Sequence, residues 1–251
     1  LSLHDALPIY YDPETAIKNA LQMIEDGADI LDIGGESTRP GAEMVPPEEE
    51  MRRVIPVIEG LKDSGVPISI DTRNAKTMQA ALGAGASIIN DVTALTGDPD
   101  SLNIAAGHDG LVCLMHMQGD PQTMQAKPQY DDVVGEVIAF LEGRINACLD
   151  AGISKERLII DAGIGFGKTL EHNLALFQNL DRFDTLGVPV LLGASRKSFI
   201  AKICGDVPAD QRLPGSLAAC LWGYEKGVRM FRVHDVKQTA QALKIWRAFA
   251  Q

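Results

Sequence analysis

Residues 159–169 read IIDAGIGFGKT. An apolar run ends in a carboxylate, a glycine-rich turn follows, and the stretch closes on Gly-Lys-Thr. That ending invites comparison with a phosphate loop, which needs a glycine, four residues, then Gly-Lys-Ser/Thr. Ala162 stands where the first glycine belongs, so the comparison fails. The dinucleotide spacing G-x-G-x-x-G fails as well. Gly163, Gly165 and Gly167 alternate, and Lys168 falls where the third glycine is required. What is left is an apolar strand that ends in Asp161 and hands over to a glycine-rich loop.

Outward from this stretch the same pattern recurs. Short apolar or β-branched runs occur at residues 30–33, 68–70, 87–89, 111–115, 158–160, 188–192 and 228–233. Runs that are apolar on both faces suit parallel strands covered by helices. Segments of helical period lie between them. In residues 12–29, DPETAIKNALQMIEDGAD, the residues Ile17, Ala20, Leu21 and Ile24 fall on one stripe. Residues 48–65, EEEMRRVIPVIEGLKDSG, begin with acids and end with Gly65, as helix dipole and C-cap preferences expect. Pro56 inside that segment is expected to kink it. Residues 130–152 and 235–250 are further amphipathic helices. Several helices stop at a glycine just before a strand, in EDGAD, ALGAGAS, LDAGIS and YEKGVR, which is the joint of a repeated βα unit.

The chain has 251 residues, the length of one α/β barrel of about 250 residues. The expected fold class is therefore α/β, a TIM (β/α)8 barrel, as a single domain over residues 1–251. The alternation supplies seven strands where a closed barrel has eight. The eighth should precede the helix that starts near Asp12. That place is held by LSLHDALPIYY, a poor buried strand because it carries His4, Asp5 and Pro8. The first strand is thus expected to be atypical or missing, with residues 1–11 atypical. An open seven-stranded sheet is the alternative.

Composition excludes several classes. Hydrophobic residues make up 45% and charged residues 23%, ordinary for a soluble globular chain. A net charge of −11 argues against a nucleic-acid binder and against a polybasic membrane surface. No apolar run approaches the roughly 18 residues of a membrane span, and residues 1–10 lack the basic start of a signal peptide. Cys113, Cys148, Cys204 and Cys220 form no C-x-x-C pair, and they read as reduced thiols of a cytoplasmic protein.

In a βα barrel, function sits at the C-terminal ends of the strands. Every run here ends in polar residues: Asp32, Asp71, Asn90 and Asp91, His116, Asp161, Ser195 to Ser198, then Arg232, His234 and Asp235. A single strand-end Asp is more often a helix cap or an ion-pair partner. Convergence of seven such ends on one mouth favours a site. Asp71, Asn90 and Asp161 suit a neutral heterocycle with amidine-like N–H donors, since a carboxylate accepts two parallel N–H bonds. Arg39, Lys197, Arg232 and His234 suit a phosphate or carboxylate. The bland alternative is that these cations pair with nearby acids.

Taken together, GGESTRPG, SIDT, IINDV, CLMHMQG, IIDAGIGFGK, GASRKS and RVHDV resemble the dihydropteroate synthase family of pterin-binding enzymes, from about residue 12 to the end. The resemblance implies a TIM barrel. It implies condensation of 6-hydroxymethyl-7,8-dihydropterin pyrophosphate with p-aminobenzoate, with release of pyrophosphate, Mg2+ as cofactor, sulfonamide inhibitors and a homodimer. It implies that Asp71, Asn90 and Asp161 grip the pterin with Lys197 beside them and Met117 near, and that Arg232 and His234 bind pyrophosphate. Thr38, Arg39 and Pro40 would lie on a loop that closes over the p-aminobenzoate site. Phe166 would wall that site and Ser198 would hold the carboxylate. Asp71, Lys197, Arg232 and His234 are the expected catalytic residues. The metal-binding Asn of the family's first strand has no counterpart in this sequence. Two alternatives stand beside this reading: a pterin-dependent methyltransferase module, disfavoured by STRPG and SRKS, and a truncated, non-catalytic pterin-binding remnant.

Overall fold

The computed structural model describes residues 12–37, 43–120 and 123–249. Seven strands, β1 (Leu31–Gly34), β2 (Ile68–Asp71), β3 (Ile88–Asp91), β4 (Leu111–Met115), β5 (Leu158–Asp161), β6 (Val190–Leu192) and β7 (Met230–Phe231), pair in chain order. Every pairing is parallel. Each strand coincides with one of the seven apolar runs. The helices α1 (Pro13–Glu25), α2 (Pro47–Leu61), α3 (Ala75–Ala84), α4 (Ser101–Ala106), α5 (Val133–Asp150), α6 (Leu170–Gln178), α7 (Ser198–Cys204), α8 (Leu213–Glu225) and α9 (Val236–Phe249) alternate with them.

The side-chain period of two along a strand sorts the sheet into two faces. Ile33, Ile70, Ile89, Val112, Leu114 and Ile160 join the helices in one apolar core. Alternate positions face the other way. Asp32, Ser69, Asn90, Cys113, Ile159 and Leu191, one from each of the first six strands, line a cavity of about 890 Å³ together with Arg232. The sheet is curled around that cavity, because Arg232, just after β7, reaches Asp32 on β1 and Asp71 on β2. These strands are seven of the (β/α)8 pattern. Among the described residues β1 and β7 are the sheet's two edges. The stretch expected to hold an atypical first strand, residues 1–11, lies outside the described residues.

Local chemistry explains the helix positions. Asp12 caps α1, accepting from Thr15 N at 3.0 Å and Thr15 Oγ1 at 2.6 Å, and Pro13 opens its first turn. The buried stripe of α1 differs from the expected one. Ala16 and Ala20 are buried while Leu21 is 45% exposed. The small residues let α1 approach closely, which rotates Leu21 outward. The α2 helix runs through Pro56 from Pro47 to Leu61. Its Glu50, fully buried, accepts from Asn74 Nδ2 at 2.8 Å and Thr77 Oγ1 at 2.6 Å and so docks α2 onto α3. Gly85, with φ +123°, turns α3 back into β3. No described helix is long and apolar enough to cross a membrane.

Leu114 on the outer face of β4 is fully buried. Truncation in Leu114→Ala should cost about 2–5 kcal/mol, read as a lowered urea midpoint with an unchanged slope.

Candidate active site

The C-terminal ends of the strands gather the polar residues. Arg232 organises the first half. Its Nε lies 2.5 Å from Asp32 Oδ2 and its Nη2 lies 2.9 Å from Asp71 Oδ2. Asn90 Nδ2 donates to the same Asp32 carboxylate at 3.3 Å. Burial pushes the Asp32 carboxyl up, but the Arg232 charge and hydrogen bonds from Ser69 and Arg232 outweigh it, and the net direction is down. The expectation that cations might instead pair with acids is met here: Arg232 pairs with two.

Asp161 and the loop after it form the second half. Asp161 is 5% exposed, and its Oδ1 accepts from Gly163 N at 2.8 Å. Burial raises its pKa, opposed by Lys197, Lys168 and Arg232 nearby. Lys197 precedes α7, donates to Ile164 O, and stands 4.6 Å above the centre of the Phe166 ring. The halves meet at Gly193. A methyl group there would lie 3.5 Å from Asp161 Oδ2, 3.9 Å from Arg232 Cβ and 3.9 Å from Lys197 Nζ.

The loop glycines explain the motif that resembled a phosphate loop. Gly163 has φ +67°, and an added Cβ would sit 1.9 Å from His116 O. At Gly167, with φ +61°, it would sit 2.6 Å from Gln118 O. The loop lies directly on the backbone leaving β4, and only glycine fits both the dihedral and the distance. Lys168 does not face outward toward a phosphate. It is 1% exposed, with Nζ 2.9 Å from His116 Nδ1.

The remaining strand-end residues separate into roles. Asp91 is structural, accepting from Thr93 N and Oγ1, both at 2.7 Å, and from Leu95 N at 2.9 Å. Asp235 pairs with Arg196 at 2.5 Å, which holds the turn before α7. His234 meets Ser195 Oγ through its N at 3.2 Å and its Nδ1 at 3.0 Å. Ser198 opens α7 and is exposed, and Met117 is half-buried after β4. Among the described residues no hydrogen bond joins either to the Arg232 cluster. Thr38, Arg39 and Pro40 lie outside the described residues. The loop that carries them is fastened at its base. Glu36 accepts from Val45 N at 3.1 Å and pairs with Arg73 at 2.9 and 3.0 Å.

Sequence reasoning assigned no role to Asp32, although its place at the end of an apolar run was the available signal. The partners of Lys168, Glu36 and Arg73 are set by tertiary structure and have no local signature, while His116 reads in the sequence only as a polar strand end. Cys113 sits at the inner face, 1% exposed, its thiol pushed well above the ordinary range by burial and by Asp161, Asp32 and Asp71.

A curled parallel sheet with helices outside and an acid-flanked arginine at its mouth defines a protein of the α/β-barrel class with its polar groups gathered at the strand ends. The model of the family described as pterin binding enzyme matches residues 3–234, and the chain belongs to that family. The dihydropteroate synthase of Haemophilus influenzae is 48% identical over 242 residues, covering 96% of this chain and 87% of the relative. A Yersinia pestis dihydropteroate synthase solved with a sulfonamide drug superposes with a TM-score of 0.93 at 41% identity, covering 96% and 87% of the two chains. A Xanthomonas albilineans dihydropteroate synthase in complex with 7,8-dihydropteroate gives 0.86 at 46%, covering 95% and 85%.

Burial, then the Lys168 charge, lower the His116 pKa from 6.5 to about 3. The unfolded chain therefore takes up this proton first as pH falls, and stability is lost from pH 6.5 down toward 3. Between pH 7 and 5 the unmodified protein should lose about 2 kcal/mol more stability than His116→Gln. Equal losses in urea titrations at the two pH values would exclude a buried neutral imidazole.

Proposed function

We propose that this chain catalyses the dihydropteroate synthase reaction. It is a transferase that condenses 6-hydroxymethyl-7,8-dihydropterin pyrophosphate with p-aminobenzoate to give 7,8-dihydropteroate and pyrophosphate. The observation that carries the reading is Arg232 held across the mouth by Asp32 and Asp71, with Asp161 and Lys197 beside it at Gly193 and the Phe166 ring under Lys197. Asp161 accepts the amidine-like edge of the pterin, and Asn90 adds a polar contact. Burial raises the Asp161 pKa, and three nearby cations act against that rise. Met117 packs near the ring.

The reaction is displacement at the pterin methylene carbon. The C–O bond to pyrophosphate breaks, the arylamine nitrogen forms the new C–N bond, and that nitrogen then gives up a proton. The dihydropterin can delocalise positive charge from the methylene, so a loose path is favoured, and Asp71 stabilises the cation electrostatically. Arg232, Lys197 and His234 meet the growing charge on the leaving group. Phe166 walls the arylamine, Ser198 holds its carboxylate, and Thr38, Arg39 and Pro40 cover it. No side chain need act as a nucleophile.

Mg2+ belongs to the proposed reaction as counter-ion of the pyrophosphate, where it would screen the leaving group's charge. No group of three or more His, Cys, Asp or Glu that could hold a metal lies among the described residues, so these side chains do not by themselves fit a bound ion. Sulfonamides are proposed to compete with p-aminobenzoate, a reading supported by the drug complex of the Yersinia relative. A homodimer is proposed through α6, α7 and α8, where Leu174, Ile203 and Trp222 are 37%, 56% and 47% exposed. Free thiols at all four cysteines support a cytoplasmic location, and the chain is read as one domain over residues 1–251.

Asp71→Asn and Arg232→Ala should each reduce kcat by on the order of 100-fold while leaving a folded protein. Near-normal turnover in both would remove these role assignments. Light scattering should give twice the 27.0 kDa chain mass, and Trp222→Glu should shift it toward the single-chain value.

A further inference from the structure

The 163–167 loop is held between two lysine amino groups, of which that of Lys168 has its pKa lowered by burial to about 7. On the open side Lys197 donates to Ile164 O and covers the Phe166 ring. On the buried side Lys168 donates to Phe166 O at 3.0 Å and to His116 O at 3.4 Å, and meets His116 Nδ1 at 2.9 Å. A buried amino group is costly unless its protons are satisfied, and here its partners are a loop carbonyl and the carbonyl and ring of His116 beneath it. The imidazole is itself fixed. It packs edge-on against Phe140 with centroids 5.0 Å apart and lies 6.1 Å from Tyr130, whose hydroxyl donates to Gly167 O at 2.9 Å. Lys168 is buried away from the mouth: its charge is felt at Asp161, but its own hydrogen bonds go to the loop and to His116.

We infer that Lys168 is a positioning residue, whose buried amino group pins the glycine loop to the exit of β4 and thereby sets the Phe166 face against which the arylamine packs. The three glycines permit the loop's path without enforcing it, because they also permit many others. The lysine selects among those paths by bonding one loop carbonyl and the His116 carbonyl just after β4 at once. Asp161 is held separately by β5, so the pterin side depends less on this anchor than the arylamine side. The arylamine clause rests on the dihydropteroate synthase reading, whereas the anchoring of the loop does not.

The test compares the unmodified chain with Lys168→Met, which keeps the length of the side chain and removes its donors. Hydrogen exchange followed by mass spectrometry is read on peptides spanning residues 162–169. Exchange should accelerate at least about tenfold there and stay unchanged in the outer core. In steady-state kinetics the KM for p-aminobenzoate should rise at least about tenfold, with that for the pterin pyrophosphate within about threefold. Unchanged exchange in the loop overturns the inference, as does an equal rise of both KM values. If Lys168→Met does not fold, His116→Leu is read in the same way, since it leaves the lysine and takes away its ring acceptor. Absence of turnover by the unmodified chain would count against the proposed function, and loop exchange would then decide the role of Lys168.

Discussion

The guanidinium of Arg232, shared between Asp32 and Asp71, is the contact on which the arrangement of the mouth depends. It joins a residue after the last described strand to the ends of the first two. All three side chains are mostly shielded, at 30%, 15% and 14% exposure. Loss of Arg232 would take the shared cation from two carboxylates in a partly dry site, a far larger penalty than loss of a surface pair. The pairing explains how an acidic chain concentrates cations at one end. The two carboxylates share the one guanidinium between them.

Much of this was legible in the sequence, for a definite reason. The outer faces of the strands must be apolar to meet the helices, and the inner faces are apolar below the polar tips. The runs therefore stand out and end where the chemistry begins. The run at 111–115 is β4 residue for residue. Leu21 was misjudged because helical period gives a stripe but not its exact bearing on the sheet, and close approach through Ala16 and Ala20 turned it outward. At the site, the kinds of residue could be read from strand ends, but their partners could not. Asp32 and Arg232 are 200 positions apart, and only the curl of the sheet brings them together. Lys168 shows the limit most clearly. Its neighbours in sequence resemble a phosphate loop, while its environment is set by His116, 52 positions earlier.

The two halves of the mouth are built by different means. The Arg232 half is rigid because strand register fixes it: Asp32 pairs with Ser69 and Asp71 with Asn90 along the ladder. The Phe166 half is a loop, shaped by glycines and held by side chains beneath and above it. A ring gripped by strand ends and an arene placed against a loop wall call for these different degrees of adaptability, and members of the family that accept varied arylamines would differ on the loop side.

Cys113 gives the mouth a chemical property of a different kind. Its sulfur lies at the inner face of β4, and Asp32, Asp71 and Asp161 all disfavour its thiolate. Since the thiolate is the form that oxidants and alkylating agents attack, this sulfur is held in its unreactive thiol form. Oxidative damage should fall first on exposed Cys204, at the far end of α7, and the site can pass through redox stress with its floor chemically intact.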